Sequence, residues 1–345
     1  MVRAVLLRRL TMQISTYKPD PAADELAQLL REKYGNYKNS DFFLSDSKKA
    51  FEFCANNENV SFYPIAGRVD GHIKAHIALI VDKRLPHGEA FFGFMEFPDD
   101  ASAFSVLWNS LIKEAKEKGI SVLKGPVNGS IWHQYRCVKE GDGSPFFKAE
   151  PFCESYYYDF LTSNKPATEI LYYSASREPF GIVLRMIDKT ALEKMQSLGF
   201  SIKETKTVGL AELRTIADIS KVVFSGSWGY TELNEREFLQ LYSSEKMTAH
   251  LNSLYLLYKE NEIIGFCSTS REDEKTLICK TICVLPQYQG LGLGNALAYR
   301  VHVDSERAGF KKMIYALIRE GNNIKNFPKE EAVIFRRYAA FEFNI

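Results

Sequence analysis

At 345 residues the chain is longer than one hydrophobic core usually serves, so two domains of ordinary size are expected. A hydrophobic content of 46% beside 25% charged residues supplies apolar material for more than one core and excludes disorder and collagen-like repeats. Lys and Arg number 44 against 43 Asp and Glu, so no general positive excess draws the chain to nucleic acid or an anionic membrane, and apolar stretches such as residues 76–81 fall far short of the roughly 20 residues that span a bilayer.

In the opening MVRAVLLRRL, the apolar run 4–7 is cut by Arg8 and Arg9 before it reaches the length of a secretory core, so no export is expected. Residues 63–81 read as two strands joined by a turn at Asp70-Gly71. His72 and His76 flank that turn without an accompanying Glu, which favours solvated strand histidines over metal ligands. A helix carrying Ala103, Val106, Leu107, Leu111 and Ala115 on one face stops at Gly119, and a strand follows at 120–123. The aromatic run around Tyr156, Tyr157 and Tyr158 reads as core. A strand at 170–174 and turn signals at 177–181 put the boundary near residue 175, giving domains 1–175 and 176–345.

Beyond the boundary, Trp228, Tyr230, Glu232, Asn234, Glu235 and Glu237 lie before a second hairpin, 255–270, which turns at Glu260-Asn261. Those carboxylates either attract a cationic amine or cap a helix. A strand at 277–285, a helix from about Asn295 to a stop at Gly309, a strand at 312–318 and a final strand at 333–343 complete the chain. The two hairpin turns are 190 residues apart, as are the two glycine stops, and the elements between them come in the same order. Two copies of one α/β unit account for this. The six cysteines form no C-x-x-C pair, which argues against a disulfide scaffold and a zinc ribbon and fits a reducing cytoplasm; no metal is expected.

Between the strand ending at Leu285 and the helix lies Pro286-Gln287-Tyr288-Gln289-Gly290-Leu291-Gly292-Leu293-Gly294. Three alternating glycines let the backbone approach a ligand and turn its N–H groups inward beside the positive end of a helix, a nest suited to phosphate oxygens. No Lys-Ser or Lys-Thr follows, and the spacing is not G-x-G-x-x-G, so nucleotide triphosphates and dinucleotides are disfavoured.

The spacing that fits is Q-x-x-G-x-G, read as Gln289, Gly292 and Gly294, preceded by Ile282-Cys283-Val284-Leu285-Pro286 and followed by a helix, the strand 313–318 and Asn322-Asn323. Here residues from about Gly181 to Ile345 resemble the GNAT superfamily of N-acetyltransferases. The resemblance implies an α/β (α+β) chain of two tandem GNAT-like units, each a mixed, mostly antiparallel sheet flanked by helices. It implies acetyl-coenzyme A as acyl donor: Ile282 and Val284 pair with the pantetheine arm through their main chain. Gln289 and the amides of Gly290, Leu291, Gly292, Leu293, Gly294 and Asn295 hold the pyrophosphate, and Asn322 or Asn323 reaches the pantetheine or thioester end. The family's reaction is direct attack of a neutral amine on the thioester, with a strand N–H stabilising the oxyanion and a proton given to the leaving thiolate.

The pattern departs from the family at the proton-transfer groups. By the resemblance, Ile278 occupies the position where some members carry a carboxylate base, and Lys329 and Glu330 stand where a Tyr often serves as acid, leaving Tyr338 as the catalytic candidate. In the first half, the 190-residue offset sets Asp99, Asp100, Ser102 and Phe104 against Gln289, Gly290, Gly292 and Gly294, so carboxylates meet the place of a pyrophosphate. Residues 91–97 and 125–130 resemble the degenerate amino-terminal half of bacterial tandem GNAT proteins, and that half is expected to have lost the cofactor.

The resulting expectation is a cytoplasmic tandem protein whose second unit moves an acetyl or other acyl group from acyl-coenzyme A to a small-molecule primary amine. A non-catalytic acyl-coenzyme A sensor or scaffold is the alternative. A tandem transferase using aminoacyl-tRNA is disfavoured by the balanced charge and the intact loop.

Overall fold

The longest apolar runs become the inner strands of two units. The computed structural model describes residues 12–17, 25–180, 190–242, 250–321 and 332–345. One unit comprises Met1–Glu140, Pro145–Ile170 and Tyr338–Ile345, the other Gly141–Ser144 and Leu171–Arg337. The sequence boundary near 175 runs through the strand that leads into the second unit. Nothing in the local pattern foretells that residues 338–345 return to the first.

In the first unit the strands are β1 (Gln13–Thr16), β2 (Val60–Val69), β3 (His72–Asp82), β4 (Glu89–Glu96), β5 (Val122–Gly125) and β6 (Cys137–Gly141). The helices are α1 (Glu25–Tyr34), α2 (Ser40–Asn56), α3 (Ala101–Glu117) and α4 (Tyr157–Ser163). β1 to β4 are antiparallel neighbours, β4 and β5 run parallel, and the end of the chain runs antiparallel to β5, with Phe341 opposite Gly125. Ile77 to Ile80 of β3 are fully buried, as expected of a strand covered on both faces. α3 buries Phe104, Leu107, Trp108, Leu111 and Ala115, one stripe at helical spacing, and packs on β3 and β2.

The second unit contains β7 (Thr168–Arg177), α5 (Thr190–Ser197), β8 (Phe200–Thr205), α6 (Leu210–Phe224), α7 (Glu235–Tyr242), β9 (Leu251–Lys259) and β10 (Glu262–Arg271). It continues with β11 (Thr276–Val284), α8 (Leu293–Arg307), β12 (Lys312–Arg319) and β13 (Val333–Asn344), whose residues from Tyr338 onward belong to the first unit. Its strand order is β7-β12-β11-β10-β9-β8. Every pairing is antiparallel except β11 with β12. Its core joins Tyr255, Leu257, Leu277 and Met313 of the sheet to Leu293, Ala296, Leu297 and Val301 of α8.

The internal repeat is visible at backbone level. Asp70 and Glu260 both turn their hairpins at φ 52°. α3 and α8 end in the same way. Ile120 N–H donates to Ala115 O and Phe310 N–H to Ser305 O, across Gly119 (φ 73°) and Gly309 (φ 88°), the left-handed stop that glycine tolerates best. Both units are mixed, mostly antiparallel sheets with helices, the fold class expected.

Two side chains depart from their sequence reading. His76 is not solvated: it is fully buried on β3, with Nδ1 2.6 Å from Phe94 O and Nε2 2.9 Å from the Tyr17 hydroxyl. Burial pushes its pKa down to about 4, so it is neutral at physiological pH. Tyr338 is likewise fully buried, within the first unit, and its hydroxyl donates to Glu150 Oε1 at 2.5 Å. Glu150 is itself 1% exposed and accepts Phe147 N–H at 2.9 Å. A phenol sealed in this position cannot protonate a leaving thiolate in the second unit, so the catalytic candidacy of Tyr338 is withdrawn. Tyr338→Phe should cost about 1–3 kcal/mol of stability, because it takes a donor from a buried carboxyl group, and should leave coenzyme affinity unchanged. Urea denaturation and calorimetric titration of that variant check both.

Candidate functional site

The parallel partners β11 and β12 stay together for only four residue pairs, from Thr276 opposite Lys312 to Cys279 opposite Tyr315. Both strands continue, β11 to Val284 and β12 to Arg319, but they no longer pair. Two irregularities part them. On β11, Thr281 pairs with Ser268 and Cys279 with Thr269, leaving Lys280 as a bulge. On β12, the register against β7 slips between Tyr315 and Ile318, Leu317 adopts φ 58°, and its N–H donates to Ser174 Oγ at 3.0 Å. Bulges bend a strand and increase its twist, and here one on each strand turns the two apart. Past the bulge, residues 281–284 remain bound to β10 on one side. Among the described residues no strand pairs with their other main-chain edge, which is open to an extended ligand.

The bulge also decides which side chains face the helix. Cys279, Ile282 and Val284 pack on the α8 side of the sheet, whereas Cys283, which an unbroken two-residue alternation would put on the same face as Cys279, is not part of that core. Its thiol is buried and pushed up to about 12 by desolvation, so it carries no thiolate at neutral pH. Ile278 is 1% exposed and offers no proton acceptor.

At the end of β11 the chain makes a short 3-10 turn at Pro286–Tyr288 and reaches α8 through the glycines. Gln289 Nε2 donates to Val284 O at 2.9 Å, so this side chain ties the loop back to the strand. Its geometry is that of a positioning residue. Gly290 and Gly292 have φ 82° and 78°, a region side chains adopt at a cost, and a Cβ added at Gly290, Gly292 or Gly294 would meet no atom within 4 Å. The loop is therefore an open cradle. Gly292 is the N-cap of α8 and has no side chain to occupy the helix end, while the buried Leu293, Ala296 and Leu297 fix the first turn against the core. Its positive end is left for an anion.

The equivalent place in the first unit is closed. β4 and β5 also pair in parallel over only three residues, Glu89 to Phe91. The space beyond is filled by the chain itself: Val127 N–H donates to Phe92 O at 2.8 Å, and Asn128 Oδ1 accepts Phe94 N–H at 2.7 Å. A Cβ on Gly93 would lie 1.9 Å from Val127 O, so only glycine permits this approach. The helix end is occupied too, because Asp100 caps α3 by accepting Ala103 N–H at 2.8 Å. Only Phe97 to Asp100 separate β4 from α3, against Leu285 to Gly292 in the second unit. The 190-residue offset therefore fails at the loop itself, where Asp100 and Gly292, both N-caps, are the matching residues.

Asn322 and Asn323 lie outside the described residues, as do Lys329 and Glu330. The carboxylates before the second hairpin have local duties. Asn234 N–H donates to Glu237 Oε2 at 2.7 Å while Glu237 N–H donates to Asn234 Oδ1 at 2.9 Å, a capping box for α7. Glu235 pairs with Arg214 and Glu232 with Lys221. No group of three or more His, Cys, Asp or Glu side chains among the described residues is arranged to hold a metal, and no described helix is long and apolar enough to cross a membrane.

Residues 213–326, from within α6 to beyond β12, match the family model of the acetyltransferase (GNAT) family. The chain is similar in fold to a tandem GNAT protein from the clavulanic acid biosynthesis pathway, at 9% identity over 96% of this chain and 98% of that one, with a TM-score of 0.58. It is also similar to a GCN5-related N-acetyltransferase from Sphaerobacter thermophilus (11% identity, 95% of each chain, TM-score 0.51). A third is a probable N-acyltransferase from Enterococcus faecalis V583 (11% identity, 96% of this chain and 72% of that one, TM-score 0.58). No curated protein sequence matches the chain. At such identities the solved structures speak for the fold. The sequence match covers both strands of the gap and the glycine loop, so residues 213–326 match the GNAT family and the chain as a whole has a fold similar to that of tandem GNAT proteins.

Proposed function

We propose that the second unit binds acetyl-coenzyme A, or another acyl-coenzyme A, and transfers the acyl group to a small-molecule primary amine. The observation that carries this reading is the early end of β11–β12 pairing, immediately before a glycine cradle and an uncapped helix end. A pantetheine arm carries amide groups that suit the free main-chain edge at Ile282 and Val284, and its pyrophosphate suits the N–H groups from Gly290 to Asn295. Gln289 holds the loop in position for this. Asn322 or Asn323 is assigned to the pantetheine or thioester end on the family resemblance.

When bound, acyl-coenzyme A supplies an activated thioester. The chain's part is then to orient that thioester beside the gap, to offer a main-chain N–H of the bulged β11 where negative charge develops, and to receive the amine already neutral. The apolar, buried Ile278, at the position where some members of the family it resembles carry a base, favours catalysis by positioning. The same residue favours the alternative of a binding protein without turnover, and thiol release with an amine panel separates the two. Cytoplasmic residence and action without nucleic acid or membrane are part of the proposal.

Gly294→Asp is the most informative substitution in the cradle. A carboxylate in the first turn of α8 suits the helix dipole, so the melting temperature should hold or rise, while coenzyme A affinity falls at least about tenfold through repulsion of the pyrophosphate. Calorimetric titration of wild type and variant checks the pair of outcomes.

With no base at Ile278, turnover should rise with pH toward the acceptor's own amine pKa and show no inflection at lower pH. Initial rates of thiol release between pH 5.5 and 10 (roughly the range spanned by His and amine titration) test this. A clear inflection near pH 6 would reveal an enzymic base.

A further inference from the structure

The second unit is open to a ligand because β12 leaves β11, and the contacts that turn β12 away lie on its other edge. Along β7, Tyr173 pairs with Ile318 and Ala175 with Tyr315, so Ser174 alone stands opposite two residues, Ala316 and Leu317. An extra residue in a strand loses its place in the ladder, and its N–H needs another acceptor. Ser174 Oγ is that acceptor, 3.0 Å from Leu317 N. Leu317 is held at φ 58°, a left-handed conformation that a residue with a side chain adopts at a cost. Ser174 is fully buried, so bulk water does not stand in for its oxygen.

The first unit carries the same strand without that hydroxyl. Leu317 stands eight residues past the helix stop at Gly309, and Val127 eight past the stop at Gly119. The end of the chain takes the place of β7 there. Phe341 pairs with Gly125 as Ala175 pairs with Tyr315, which sets Ala340 at the position of Ser174. Ala340 has no side-chain oxygen to offer. Val127 N–H turns the other way, to Phe92 O of β4 at 2.8 Å, and the gap is shut. The equivalent N–H is thus spent on β7 where the gap is open and on β4 where it is closed.

We propose that Ser174 is a positioning residue for acyl-coenzyme A: by accepting Leu317 N–H it keeps β12 off residues 281–284 of β11 and leaves their main-chain edge to the pantetheine arm. The role rests on the reading of the second unit as an acyl-coenzyme A site, whereas the strand geometry that Ser174 governs is present without a ligand. With alanine at position 174, Leu317 N–H has only the choice that Val127 has, and β12 falls back towards β11.

Ser174→Ala is the test, read by calorimetric titration of coenzyme A into the full-length protein and by amide hydrogen exchange without ligand. Affinity should fall at least about fivefold, the effect on an equilibrium of losing one buried hydrogen bond. Exchange within residues 281–284 should slow as β12 covers their edge, whereas a mere loss of packing would speed it. Leu317→Gly, which takes a positive φ without strain, should bind coenzyme A at least as tightly as wild type and, combined with Ser174→Ala, should restore most of the lost affinity. The proposal is overturned if Ser174→Ala binds coenzyme A like wild type, if its residues 281–284 exchange no more slowly, or if Leu317→Gly does not restore the affinity. Leu317→Gly alone needs no change at Ser174, and weaker binding by that variant overturns the proposal as well. A wild type that binds no coenzyme A overturns the acyl-coenzyme A reading instead, and the ligand-free exchange still decides for or against Ser174.

Discussion

The second unit depends on where one parallel strand pair stops. Main-chain N–H and C=O groups in a sheet are normally consumed by the neighbouring strand, and a ligand can reach them only where that neighbour leaves. The Lys280 bulge and the turn of β12 at Leu317 remove β12 from β11 just before the glycine loop. Strand edge, loop N–H groups and helix dipole are then presented in succession by one continuous stretch of chain. Buried contacts from Leu277 through Leu293 to Val301 anchor that stretch to the core of the unit.

The first unit shows what happens when the same architecture is filled by its own residues. Asn128 supplies an acceptor to Phe94 N–H, Val127 pairs with Phe92, and Asp100 sits on the helix end. Each of these contacts satisfies a group that would otherwise await a ligand, and each carries a geometric requirement, Gly93 above all. The closure is thus built from hydrogen bonds and close packing, more than from the charge repulsion that Asp99 and Asp100 suggest on paper.

The sequence made much of this legible. The turn at Asp70-Gly71, the stops at Gly119 and Gly309 and the glycine cradle are local signals in which residue type dictates backbone conformation, and all lie where expected. Long-range pairings carry no such signal. That residues 338–345 complete the first unit, and that Tyr338 meets Glu150 there, follows from partners almost two hundred positions apart. The bulge at Lys280 was also hidden, since an apolar strand reads the same with or without one extra residue, and it keeps Cys283 out of the core that Cys279 packs against. The constant offset misled at Asp100 because the loop before α3 is shorter than its counterpart before α8. A comparison anchored on the two helix starts would have matched Asp100 to Gly292.

The central claim is that the coenzyme enters between β11 and β12 of the second unit and nowhere in the first. Amide hydrogen exchange of the full-length protein with and without coenzyme A tests it most directly, because the claimed contacts are main-chain N–H groups. Slower exchange at residues 281–284 and 290–296, with residues 92–104 unchanged, is the predicted result. Protection at 92–104, or coenzyme binding that leaves 290–296 unprotected, would contradict the account.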